Sequence, residues 1–184
     1  MLRYALWFWL ALAPSVALAL PSEPPQVVVH GTVTTDSGEH PAWFTLICTQ
    51  GTGAALSLQL ALGIDAAPDF PFDAYEGPRA PASYQSSAHL QVGNQRFPPI
   101  NVAGWRSGEI DGAFVFGIAT APGQRNTATA VAAALGKPGV TLTWVQISGN
   151  LQTPPLAAQF APDAAQSSAL EKVAAPCLPG YRHK

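Results

Sequence analysis

Leucine occupies every second position across one short stretch: Leu56, Leu58, Leu60 and Leu62, with Ser57, Gln59 and Ala61 between them. Side chains alternate between the two faces of a β-strand, so this spacing predicts a strand that buries its leucine face. The segment before it reads the same way. Over residues 42–49, Phe44, Leu46 and Cys48 fall on one face and Trp43, Thr45 and Ile47 on the other. A glycine-containing turn at residues 50–53 joins the two into a hairpin. Upstream, the β-branched residues 27–34 followed by Asp36-Ser37-Gly38 predict a first strand and its turn.

Composition points the same way. The 184 residues include 18 prolines and 16 glycines, and only 11% are charged. Such a chain is rich in turns and poor in long solvated helices. Residues 89–92 and 95–97 flank Gly93-Asn94, a tight-hairpin signal. Residues 109–119 predict a further strand with Ile110, Phe114, Phe116 and Ile118 as burial candidates and a bulge at Gly112. Residues 140–147 predict another, with Val140, Leu142 and Trp144 on one face and a bulge at Trp144-Val145. Pro154-Pro155 restricts residues 156–160 to an edge strand.

Two helices are expected. The first covers residues 126–135, capped by Asn126 and ended by Gly136 and Pro138. The second starts at Pro162-Asp163 and aligns Leu170, Val173, Ala174 and Cys177 on one face. The expected fold is mainly β: an antiparallel sheet or sandwich with two short helices, one near the C-terminus. No internal repeat is visible.

The first residues suggest a destination. Arg3 precedes the apolar run Ala5-Leu6-Trp7-Phe8-Trp9-Leu10-Ala11-Leu12, Pro14 interrupts it, and Ala17-Leu18-Ala19 supplies small residues at a cleavage position. This is the layout of a secretory signal peptide. An uncleaved anchor is the competing reading, but a spanning helix needs roughly 20 apolar residues. No cysteine near residue 19 is placed to take a lipid. The expected organisation is therefore 1–19 signal peptide, 20–26 extended lead-in, 27–178 a single β-rich domain, and 179–184 a tail. The expected location is the periplasm or the outside of the cell, with no membrane span after signal cleavage. An exported chain with Cys48 and Cys177 as its two cysteines points to one disulfide; two buried free thiols are the alternative.

Chemical motifs are sparse. Lys and Arg total 9 against 11 Asp and Glu, without the basic cluster that nucleic acid requires. His30, His40, His89 and His183 lie far apart, and no metal, nucleophile or cofactor motif accompanies them, so no metal site and no cofactor is expected. Asp65, Asp69, Asp73 and Glu76 crowd one loop. Calcium binding or paired carboxylates for glycoside hydrolysis are one reading, and a solvated acidic loop neutralised by Arg79, Arg96 and Arg106 is the other. Trp43, Trp105 and Trp144 with Phe70, Phe72, Tyr75 and Tyr84 suffice for an aromatic binding surface, although strand tryptophans are more often core. The aperiodic residues 63–87 are the expected place of function, through Phe72, Tyr75 and Glu76 as binding residues. Pinning of the loop to the core is the alternative role of those rings.

Trp43-Phe44-Thr45-Leu46-Ile47-Cys48 with the leucine strand, and the strand around Trp144 followed by Ala157-Ala158-Gln159-Phe160, Ala169-Leu170 and Cys177, together resemble a set of exported bacterial domains. The pattern is similar to the invasion-associated locus B family and to accessory proteins of type VI secretion. The resemblance implies a small exported β domain with a disulfide and carries over no catalytic residue. Together these features suggest an exported, non-enzymatic binding or accessory module of the bacterial envelope with an envelope or secreted protein as partner. The alternative is an extracytoplasmic hydrolase with a carboxylate-based site.

Overall fold

The computed structural model describes residues 24–181. The expected signal peptide, most of the expected lead-in and His183 lie outside the described residues. The chain runs β1 (Gln26–Thr35), β2 (Gly38–Cys48), β3 (Leu56–Gly63), β4 (Ser86–Val92), β5 (Gln95–Arg96), β6 (Ile100–Asn101), β7 (Ala103–Arg106), β8 (Ala113–Thr120), α1 (Thr127–Leu135), β9 (Leu142–Gln146), β10 (Leu156–Phe160) and α2 (Ala164–Ala174). The fold is mainly β, an antiparallel sheet with two helices, one of them at the C-terminal end. Among the described residues no helix is long and apolar enough to cross a membrane.

The strands form one sheet in the order β5-β4-β9-β10-β1-β2-β3-β8-β7, with β6 also on β4. Residues 100–106 connect its two sides. Their start pairs with β4 through Ile100↔Ala88, and their end pairs with β8 through Trp105↔Val115. One short segment thus belongs to both ends of the sheet, and the sheet curls on itself. Strand alternation fills the inside. Phe44, Leu46, Leu58, Leu60, Phe116, Trp144 and Phe160 are all buried, and the intervening residues face out.

The two ends of the curled sheet are closed by different material. At one end β2 finishes, β3 starts and β8 finishes, in the register Cys48↔Leu56↔Thr120. The helices gather there. Asn126 and Thr129 form a reciprocal cap on α1, with the Asn126 side chain also donating to the Thr120 hydroxyl. Asp163 and Gln166 cap α2 in the same manner. Each cap satisfies helix N–H groups that the helix cannot pair itself. Cys177 follows α2 and forms a disulfide with Cys48, with the Cα atoms 6.0 Å apart. The bond closes a loop across 129 residues, which in the chain-entropy model removes about 5 kcal/mol of unfolded-state freedom.

Residues 64–84 close the opposite end as three single 3-10 turns. They contain no sustained period because no regular element runs through them. Their rings anchor them instead. Phe72 packs on Phe114 with ring centroids 5.1 Å apart, and Tyr75 meets Phe116 edge-on at 5.2 Å. At the hairpin between β1 and β2, the hydroxyls of Thr35 and Ser37 both donate to the Ala66 carbonyl, at 2.7 and 2.8 Å.

Three local expectations are corrected. Leu156–Phe160 is not an edge strand: β10 lies between β9 and β1. Pro154 and Pro155 stand before its first ladder position, so their missing N–H groups cost the sheet nothing. No bulge occurs at Trp144-Val145, because β9 keeps an unbroken register with both neighbours. Gly112 belongs to a turn before β8, with φ of +68°, and not to a bulge. The Gly93-Asn94 hairpin forms as expected, pairing Val92 with Gln95.

Candidate binding face

The outer face of the sheet follows from the same alternation that fills the inside. Residues facing out on β1, β2, β3, β8 and β7 fall into rows set by strand register. One row is His30, Trp43, Ala61, Val115 and Trp105. The next is Val28, Thr45, Gln59, Gly117 and Ala103. The two tryptophans stand on strands three neighbours apart, which places their backbones roughly 14 Å apart at the usual strand spacing. Ala61 and Val115 between them are small or short and lie low, at 7% and 6% exposure, beneath the side chains around them. The rows therefore describe a shallow trough with an aromatic ring on either flank.

Trp105 is held in a defined pose. Its ring lies across Gly117: a Cβ added there would come within 2.4 Å of Trp105 Cη2. Only glycine leaves room for this contact. The ring is 39% exposed, so one side is seated and the other meets solvent. Its strand is also secured. Arg106 pairs with Asp73 at 2.9 Å, Glu76 bridges to Gly104, and the Gly77 N–H donates to the Gly104 carbonyl. Both partners of the ion pair are exposed, so it contributes about 0–1 kcal/mol and serves mainly to position β7. On the opposite flank the His30 and Trp43 rings meet edge to face at 6.4 Å.

A depression lies on each side of Trp105. One, about 250 Å³, is lined by Gln26, Val28, Thr45, Ile47, Gln59 and Ser107 among others. The second, about 270 Å³, includes Ser57, Pro78, Ser83, Asn101 and Ala119. Glu109, at the rim of the first, is the one ionisable side chain lining either. The rest of the polar lining is amide and hydroxyl, groups able to donate and accept hydrogen bonds without carrying charge.

The residues singled out from sequence are distributed differently. Phe72 and Tyr75 are buried at 4% and 0% exposure, in contact with Phe114 and Phe116 and with each other's neighbour Phe70. The geometry gives these two rings a pinning role. Glu76 is exposed, and its backbone is part of the bridge to Gly104. Trp144 is core, whereas Trp43 and Trp105 face outward. Asp65, Asp69, Asp73 and Glu76 are all on the surface, with Asp73 engaged by Arg106. Among the described residues no cluster of three or more His, Cys, Asp or Glu side chains is placed to hold a metal ion.

A smaller cleft of about 110 Å³ opens between the β1–β2 hairpin, residues 66–70 and residues 153–156. The Thr35 and Ser37 hydroxyls on its wall are both spent on Ala66. These two hydroxyls thus hold the hairpin to the loop.

No protein-family model, curated protein or solved structure matches the chain.

Proposed function

We propose that this protein is an exported, non-enzymatic binding or accessory module of the bacterial envelope, and that the outer sheet face around Trp105 is its binding surface. The observation that carries this reading is the seating of Trp105 on Gly117 between two depressions whose one ionisable lining side chain is Glu109. A ring already fixed against backbone loses little freedom when a ligand covers it, which is the property of a good anchor. Supporting the location are the basic-apolar-small layout of residues 1–19 and the Cys48–Cys177 bond, which persists outside reducing compartments. The similarity of residues 43–48 and 157–177 to the invasion-associated locus B family and to type VI secretion accessory proteins fits the same class.

The test is a photo-crosslinking residue at Gln59, in the trough, compared with one at His89, exposed on β4 away from it. Expression in a bacterial host with the native leader should give a Gln59 adduct that disappears in Trp105→Ala and no matching His89 adduct. Equal labelling from both positions, or a Gln59 adduct indifferent to Trp105, overturns the assignment of the face.

A further inference from the structure

We infer that the ligand of this face is an uncharged glycan chain that stacks on Trp105 and runs through the depressions on both of its sides. The inference rests on the reading of the face given above and adds the chemical class of its occupant.

Three properties of the site converge on a sugar. The first is the paired character of the lining. A pyranose ring has an apolar C–H face and a rim of hydroxyls. The exposed face of an aromatic ring carries partial negative charge and attracts polarised C–H groups, so the two stack. Trp105 supplies such a face at 39% exposure, and Trp43 stands outward in the same row. Beside the rings, Thr45, Gln59, Gln26 and Ser57 offer hydroxyl and amide groups suited to a sugar's rim.

Charge is the second property. Neither depression is lined by Lys or Arg, and Glu109 stands at the rim of one. Phosphorylated or sulfated ligands and nucleic acid strands need cationic partners, which this surface lacks. A protein partner would more naturally use a central apolar cluster with a polar rim. Here Thr45 and Gln59 put polar side chains in the row beside the tryptophans, and between the two rings stand only Ala61 and Val115, at 7% and 6% exposure, so little apolar surface is open there.

Extent is the third. Trp105 separates two depressions of similar size, about 250 and 270 Å³. A single sugar would fill one side of the ring. A chain occupies both and gains the second side without a second association cost.

The experiment uses the mature, disulfide-bonded protein and three uncharged oligosaccharides: chitohexaose, cellohexaose and maltoheptaose. Binding is followed by tryptophan fluorescence and by calorimetry. At least one should bind, and Trp105→Ala should weaken it by about tenfold or more, a loss of ~1.4 kcal/mol. Gln59→Ala keeps the ring in place and should weaken the same ligand by about three- to tenfold. Leu151→Ala, at an exposed residue that lines neither depression, should change nothing. If no oligosaccharide binds at millimolar concentration while the Gln59 crosslink still depends on Trp105, the glycan assignment fails and the face stands. If the crosslink is silent as well, both fail. Should Trp105→Ala not fold, Gln59→Ala decides: unaltered binding in that variant overturns the inference.

Discussion

The hydroxyl of Tyr75 donates to the backbone carbonyl of Ile147 at 2.6 Å, joining the loop that closes one end of the curled sheet to the end of β9. The ring beneath that hydroxyl is fully buried against Phe116. One residue thus fastens a segment without regular structure to two separate strands. Tyr75→Phe keeps the ring and removes the bond, and the Ile147 carbonyl retains a second donor in the Gln146 amide. The expected cost is about 1 kcal/mol in urea denaturation. Tyr75→Ala also loses the packing and should cost about 3–5 kcal/mol. A Tyr75→Ala protein as stable as its parent would show that the loop is not held this way.

Replacing Gly117 is expected to act on the face without touching any polar group of it. Gly117→Ala places a methyl where the Trp105 ring lies, and the ring is the part free to move. Displacement should shift the emission of the exposed tryptophan to the red and weaken ligand binding, at a stability cost of about 1–3 kcal/mol. Unchanged emission and unchanged binding would mean that Trp105 does not need its glycine seat.

Ser167 carries the opposite sign. Its hydroxyl is buried in α2 without a hydrogen-bond partner. Ser167→Ala removes that desolvated group and installs the best helix former. The melting temperature should rise, by the equivalent of roughly 0.5–1.5 kcal/mol. A fall in melting temperature would reveal a partner for this hydroxyl.

Opening the disulfide with a Cys48→Ala, Cys177→Ala double variant should lower stability by about 2–5 kcal/mol. The measurement is guanidinium denaturation of the double variant against the oxidised parent. Coincident curves would remove the disulfide from the stability of the fold.

The strands that sequence reading found best are those whose buried face stands alone in a short window. The four alternating leucines of β3, the split faces of β2 and the Gly93-Asn94 hairpin all follow from residues within about ten positions of each other. The Asn126 cap of α1 and the start of α2 at Pro162-Asp163 were readable for the same reason. Residues 100–106 were not, since two prolines precede them and Gly104 interrupts them, and four residues offer little period. The interior position of β10 was hidden because strand order is set by tertiary pairing, and the prolines before it suggested an edge. The trough illustrates the same limit. Its rows draw on five strands, so no window of sequence holds both Trp43 and Trp105. What sequence does contain is a tryptophan on the outward phase of β2, a signal that becomes informative once the register of β8 and β7 is known. Phe72 and Tyr75, expected as binding residues with core pinning as the alternative, are buried with Phe70 against Phe114 and Phe116.

The positions of the two cysteines also govern how the molecule is made. Cys48 leaves the ribosome 129 residues before Cys177, an interval of roughly 6–26 s at ordinary synthesis rates. Throughout it the early thiol has no partner in its own chain, and when the second arrives only one intramolecular pairing exists. Such a protein needs an oxidant but no reshuffling of bonds. The error open to it is a link between two nascent molecules, so the yield of correctly bonded protein should fall as the concentration of unfinished chains rises.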